Sequence, residues 1–428
     1  MIQRIIISLI IFFVFFGFGY SYISNSPPQG DELHYLITAQ SIVKDHDIWL
    51  ENNYQDLKID KHTVIGPDGH EYLYHGLGLF PLTIAVPFSI LGRLGVMITL
   101  CIATVFLFWQ IFNFTKEVTE NSKLSALISL VIIFSLPLAN YSFLIFPEIV
   151  GALLIIFNLR SFLKSKGNLF VFISLGLMPW VHIRLLPVSL TFLLLWGFKL
   201  HFQKQKKLLI LLPSILLIAS YFLFLHTIYG SIVPTKPYSN LGIQTDTGSI
   251  PVNLINILID RQYGLLPFTP IFLLALPGLV LWFRKQPKLV LIVYTITATY
   301  LLPTLRYSDW HGGYSPPGRY LVMILPLFTP AIVFYSLEKR LILTKIIALS
   351  MGFWGILAFV INFNLSSNYG FVFQDGASPF FRFLSSKLGI NIHDLLPAFY
   401  PEQSLGFAHI VWIVILVLFY ILMTSVKK

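Results

Sequence analysis

Runs of about 15–20 apolar residues recur from one end of the chain to the other, each long enough to span or nearly span about 30 Å of hydrocarbon. Short polar breaks separate them. The pattern predicts helical spans over 4–20, 95–114, 124–144, 149–163, 168–181, 185–198, 208–228, 264–283, 289–305, 319–337, 346–364 and 409–425. The stretch 77–92 holds Pro81 and Pro87, which remove backbone donors and break helices, so it reads as a re-entrant or interfacial element rather than a full crossing. After the first run, Pro27-Pro28 halts the chain, and Gly30-Asp31 opens an amphipathic stretch to about Lys44 that suits a helix lying in the membrane interface. The expected fold class is all-α: a polytopic transmembrane helical bundle of about 12–13 spans, with interfacial helices in the first outer loop. The whole chain, 1–428, forms one membrane-embedded domain.

Composition agrees with this pattern. Of 428 residues, 56% are hydrophobic and only 11% charged, far outside the soluble globular range. Met1–Tyr20 reads as a retained first span, because no small-residue cleavage site precedes Pro27. The lone Cys101 lies in an apolar run, which excludes a disulfide framework and a cysteine-based metal site.

The net charge of +10 decides orientation rather than partner class. Its basic residues sit in short clusters between spans: Lys164/Lys166, Lys199 with Lys204, Lys206 and Lys207, Arg284/Lys285/Lys288, Lys339/Arg340/Lys345 and Lys427-Lys428. Such clusters anchor cytoplasmic turns beside anionic lipid, and nothing in them calls for nucleic acid. Both termini are then cytoplasmic in a multi-pass protein of the plasma (inner) membrane. The outer loops are 21–76, 145–148, 182–184, 229–262, 306–318 and 365–408. Loop 365–408, with Pro379 to Leu384, has the look of an interfacial cover over a lipid groove.

Unusual polar residues collect on that outer side. Asp31, His34 and Tyr35 share one helix face, and Glu32 stands beside Asp31. An N-cap role explains one acid, but not an acid pair with a histidine. His75, flanked by Gly76 and Gly78, closes the same loop; helix packing alone also accounts for it. Glu148 follows Pro147 at a span end, where a helix start and a buried functional acid are equal readings. His182 and Arg184 interrupt an apolar hairpin, so Arg184 either snorkels to headgroups or holds an anion. Asp260 and Arg261 either pair with each other or serve a site with Tyr263. Interfacial aromatics explain Trp310 and Tyr314, but not Asp309, His311 and Arg319 together. Asp45-His46-Asp47 reads as a solvated helix end rather than a metal-binding acid pair, and P-loop, HExxH and GxSxG motifs are absent.

Taken in order, Gly30-Asp31-Glu32 with His34-Tyr35-Leu36, His75-Gly76, Pro147-Glu148, His182-x-Arg184, Asp260-Arg261-x-Tyr263-Gly264 and the Trp310 to Arg319 loop resemble the GT-C superfamily of polytopic glycosyltransferases. That group contains the protein O-mannosyltransferases and the lipid A aminoarabinose transferases. Many relatives carry Pro where this chain has Leu33, outside the acid pair. The resemblance implies a polyprenyl-phosphate-linked sugar as donor and an acceptor hydroxyl on a protein, glycan or lipid. It makes Asp31 the general base of an inverting transfer, with Arg184, Arg261 and Arg319 stabilising the leaving phosphate. Glu32, His34, His75 and Glu148 would position substrate or bind a divalent metal ion, as some relatives do. The competing readings are a flippase or transporter, which should place charges at mid-membrane with repeat symmetry, and a non-catalytic polyprenyl-phosphate-binding envelope protein.

Overall fold

Apolar runs whose backbone must satisfy its own hydrogen bonds fold as helices, and helices dominate the structure. The computed structural model describes residues 2–23, 28–55, 57, 59–202, 208–242, 248–313, 315–338, 342–369, 378–399 and 407–425. Lys204, Lys206, Lys207, Tyr314, Lys339, Arg340, Lys427 and Lys428 of the sequence reading lie outside the described residues. The chain opens with α1 (Ile2–Ile23) and α2 (Asp31–Lys44), then a small antiparallel hairpin of β1 (Thr63–Ile65) and β2 (Glu71–Leu73). There follow α3 (Leu79–Thr119), α4 (Ser122–Phe134), the single turn α5 (Leu138–Tyr141), α6 (Glu148–Leu163), α7 (Leu169–Val181), α8 (Leu186–Phe202) and α9 (Leu212–Tyr229). The short α10 (Lys236–Asn240) and α11 (Ile250–Ile259) lead to α12 (Ala275–Lys285), α13 (Pro287–Leu305), α14 (Thr329–Glu338), α15 (Ile342–Tyr369), α16 (Pro379–Leu388) and α17 (Phe407–Ser425).

Among the described residues, five helical stretches are long and apolar enough to cross a membrane: Leu79–Thr119, Ile183–Phe202, Leu208–Tyr229, Pro287–Leu305 and Lys345–Leu365. That is the make-up of a membrane-embedded helical protein. Several other expected spans are shorter than their apolar runs, and prolines explain the difference. The run 124–144 breaks at Ser135–Pro137, the run 264–283 starts its helix only after Pro267 and Pro270, and 319–337 only after Pro326.

In α3 the break expected from Pro81 and Pro87 falls at Leu91 and Gly92, whose backbone angles leave the helical region. A side chain on Gly95 would lie 2.1 Å from the Pro87 carbonyl oxygen, eight residues earlier. A straight helix would separate such residues by about 12 Å, so the axis turns sharply there. The α2 helix also differs from the expected interface-lying cylinder: Glu32, His34, Tyr35, Leu36, Ile37, Thr38, Ala39 and Ser41 are all buried, more than one apolar stripe would be.

Helix direction sorts the polar contacts to two ends. One end gathers the starts of α2, α3, α6 and α8 with the ends of α7, α9 and α13. At the other, Glu117 near the end of α3 takes Arg160 of α6 at 2.5 Å and Lys164 at 2.7 Å. Gln286, just before α13, donates to the Val118 carbonyl at 3.1 Å on that same end. Lys164 and Lys199, whose Nζ donates to the Phe162 carbonyl, thus stand at the end opposite Asp31, His75, Glu148 and His182.

Candidate active site

Four charged side chains from distant parts of the chain meet at the first end. Gly30, with φ +52°, caps α2 in a conformation that an L side chain rarely adopts, and turns the chain so that Asp31 is the first helical residue. The Asp31 side chain does not cap α2. Its Oδ2 accepts from Arg319 Nη2 at 2.6 Å instead. Arg319 is 7% exposed and also donates from Nε to Glu148 Oε1 at 3.1 Å and from Nη1 to the Gly312 carbonyl at 2.8 Å. Glu148 begins α6 and is fully buried; the same Oε1 receives Arg184 Nη2 at 2.9 Å, while Oε2 has no partner among the described residues. Arg184 further reaches the Tyr300 hydroxyl at 3.3 Å and lies over the Tyr320 ring at 4.5 Å.

Asp31, Arg184 and Arg319 of this cluster edge a cavity of about 550 Å³. Asp31, His75, His182, Arg184, Asp309 and Arg319 line its polar part, and Leu186, Pro187 and Pro303 make an apolar part. A second hollow, of about 770 Å³, lies between α1 and α4 and is lined by apolar residues with Arg4 and Ser8. No converging polar groups occur there, so the chemistry belongs to the first.

The histidines sit on the hairpin side. Tyr74 N–H donates to the His62 carbonyl at 3.1 Å, extending the hairpin register so that His62 and His75 come together. Their rings meet at His62 Nδ1 and His75 Nε2, 2.8 Å apart. Asp31 Oδ1 is 3.6 Å from His75 Nε2 and 3.9 Å from His62 Nδ1. His34 stacks on His62 with centroids 3.7 Å apart, and its Nδ1 pairs with the Tyr54 hydroxyl at 2.6 Å. Gly76, at φ +65°, lets the backbone pass Tyr35, whose hydroxyl would lie 2.7 Å from a Cβ at that position.

Electrostatics assign the protonation states. Burial pushes the Asp31 carboxyl up, but the Arg319 charge, then His75, the Arg319 hydrogen bond and His62 together hold it below the usual carboxylate range. Asp31 is ionised at neutral pH. Burial pushes the His75 imidazole down to about 4 and that of His34 down to about 3, and lowers His62 as well. All three rings are therefore neutral at pH 7.

Other residues singled out in the sequence take different places. Glu32 is 1% exposed and does not line the cavity. Its carboxylate accepts from Ile145 N–H at 2.8 Å and Gln29 N–H at 2.9 Å, pinning the start of α2 to the segment before α6. Burial pushes its carboxyl up despite those amides and nearby Arg93. Glu32 thus fixes the backbone from which Asp31 projects. Asp260, fully buried, accepts from the amides of Gln262, Tyr263 and Phe399. Arg261 turns to the His393 carbonyl at 3.1 Å and Asp394 at 3.6 Å. Tyr263 packs its ring on His311, 4.9 Å away, and its carbonyl accepts from Gly318 N–H, so this group supports the Arg319 loop from behind. Asp309 is paired with His311 at 2.5 Å. Asp47 takes Ser41 and the Trp49 amide, while Asp45 takes Asn52 and Asn53, as the solvated-turn reading expects.

Asp260→Ala should therefore lower stability by about 2–4 kcal/mol, since buried amides lose their acceptor. Tryptophan-monitored thermal unfolding of the detergent-solubilised protein would read the loss. An unchanged midpoint would refute the supporting role.

His62 escaped the sequence reading. The signal was present: Pro67-Asp68-Gly69 between two short runs of β-formers marks a hairpin, and its mirror pairing brings residue 62 beside 74 and 75. No protein-family model, no curated protein and no solved structure matches this chain.

Proposed function

We propose that the chain is a membrane glycosyltransferase of the GT-C kind, moving a sugar from a polyprenyl-phosphate-linked donor to an acceptor hydroxyl at the outer face of the plasma membrane. One observation carries the reading: Asp31 and Arg319, 288 residues apart, are joined at the rim of a cavity that Arg184 also lines. A buried ion-paired cluster of this kind is costly unless it serves a purpose, and here it borders open space rather than sealing a core.

In this reading the donor phosphate lies toward Arg184, Arg319 and His182, and the lipid tail follows Leu186, Pro187 and Pro303 toward α8 and α13. The acceptor O–H gives its proton to the Asp31 carboxylate as the new bond to the anomeric carbon forms. The bond from that carbon to the phosphate oxygen breaks, and its electron pair leaves with the phosphate. The guanidinium groups offset the growing negative charge. Attack opposite the departing phosphate inverts the anomeric centre in a single displacement, without a covalent enzyme intermediate. The first outer loop would present the base, and both termini would be cytoplasmic.

A divalent ion fits the same site on the chemistry of its donors. Asp31, His62 and His75 offer three ligand atoms within 4.8 Å of one another. A bound ion would add positive charge beside the phosphate and acidify a bound hydroxyl.

The test uses the purified protein in liposomes with a polyprenyl phosphate bearing a radiolabelled sugar and a cell-envelope acceptor fraction. Label leaving the lipid, with inverted linkage in the product, is expected. Label that stays on the lipid, with neither transfer nor hydrolysis, would overturn the reading; retention of the lipid without turnover would instead identify a binding protein.

A further inference from the structure

We infer that Asp31, His62 and His75 form a transition-metal site of the zinc class, open to the cavity, rather than a magnesium or calcium site. The ion's use in transfer rests on the reading above; the site itself rests on geometry.

Two imidazole nitrogens and one carboxylate oxygen converge from three separate segments: the start of α2, the residue just before β1 and the bend just after β2. For a tetrahedral ion with ligand bonds of about 2.0–2.1 Å, ligand atoms lie about 3.3–3.4 Å apart. The observed edges of 2.8, 3.6 and 3.9 Å bracket that value, so shifts of a few tenths of an ångström complete the triangle. Without an ion, the two ring nitrogens share one N–H···N hydrogen bond beside the carboxylate. The donor types then choose the ion. Imidazole suits zinc and its neighbours in the first transition row, whereas magnesium and calcium require mostly oxygen.

The surroundings fit a ligand set. His34, held by Tyr54, stacks on His62 and fixes its ring plane. Arg319 holds Asp31 Oδ2 at 2.6 Å and leaves Oδ1 toward the histidines. Asp31, His62 and His75 all line the cavity, so a fourth position can take a small ligand, the arrangement of catalytic rather than structural zinc.

Charge balance gives the site a role. Arg184 and Arg319 are already matched by Glu148 and Asp31, and Asp309 adds a further acid at the rim. The fixed charges of the cavity thus nearly balance before a phosphate enters. Arg184 and Arg319 would still donate hydrogen bonds to the anion, and a divalent ion would add two positive charges beside them.

Purified protein, stripped with chelator and dialysed against Zn²⁺ or Co²⁺, tests the inference by metal analysis and by the visible ligand-field bands of Co²⁺. About one ion per chain is expected for wild type, with tetrahedral cobalt bands and no comparable retention of Mg²⁺ or Ca²⁺. His62→Ala and His75→Ala should each weaken affinity at least about 10-fold, a loss seen even when groups outside the ligand shell are removed. The wild-type cobalt titration needs no variant, so poor folding of either mutant leaves the test intact. Less than a tenth of an equivalent of ion in wild type, or equal binding in wild type and both variants, would overturn the site. Neither readout measures transfer, so the site and the transferase reading stand or fall separately.

Discussion

Arg319→Met is expected to destabilise the protein by about 3–5 kcal/mol, the usual cost of removing one partner from a buried charge cluster. Three bonds go at once: to Asp31, to Glu148 and to the Gly312 carbonyl. Methionine fills similar volume beside Phe146, over which the guanidinium now lies at 4.5 Å, so packing changes little and the loss reports electrostatics. Glu148 would retain only Arg184, and Asp31 would face the cavity without its cation. Arg319→Lys sharpens the argument. It keeps the charge but lacks the planar fork needed to reach three acceptors, so it should recover part of the stability and little of the activity. Thermal unfolding in detergent checks both variants, and a methionine variant as stable as wild type would remove Arg319 from its central place.

The second large effect belongs to Asp31→Asn. Transfer should fall about 10²–10⁴-fold, the range for loss of a positioned general base. The amide oxygen can still accept from Arg319, so folding should survive, and with both proteins freed of divalent ion the donor should bind them nearly alike because Arg184 and Arg319 remain. The loss should therefore appear in kcat rather than KM. A matched fall in donor affinity would make Asp31 a binding group; unchanged turnover would end its role as base.

Much of this arrangement was legible in the sequence, for identifiable reasons. Charged residues in an apolar chain are few and expensive, so Asp31, Glu148, Arg184 and Arg319 stood out individually, and the parity of the basic clusters put them at one end. The structure unites all four. Their division of labour was not legible. Whether an acid faces a cavity or caps backbone amides depends on which side of a turn it occupies, and that is set by neighbours far along the chain. Glu32 follows Asp31 directly, yet binds Ile145, 113 residues away, because adjacent helical positions point about 100° apart. Asp260 and Arg261 read equally as a mutual surface pair or as part of a site, yet each serves the segment around 393–399, whose proximity no local pattern reveals. Span lengths failed for a simpler reason: hydropathy counts a proline inside an apolar run as part of it, while the backbone at Pro137, Pro270 and Pro326 does not continue the helix.

The central claim is that the cavity edged by Asp31, Arg184 and Arg319 receives a lipid phosphate. Binding of a short-chain polyprenyl phosphate, without sugar, to wild type and to Arg184→Gln measures this directly. Loss of one charged hydrogen-bonding group, worth about 1.5–3 kcal/mol, predicts affinity weaker by about 10–150-fold in the variant. Equal affinity in the two proteins, or no binding to wild type, would contradict the account.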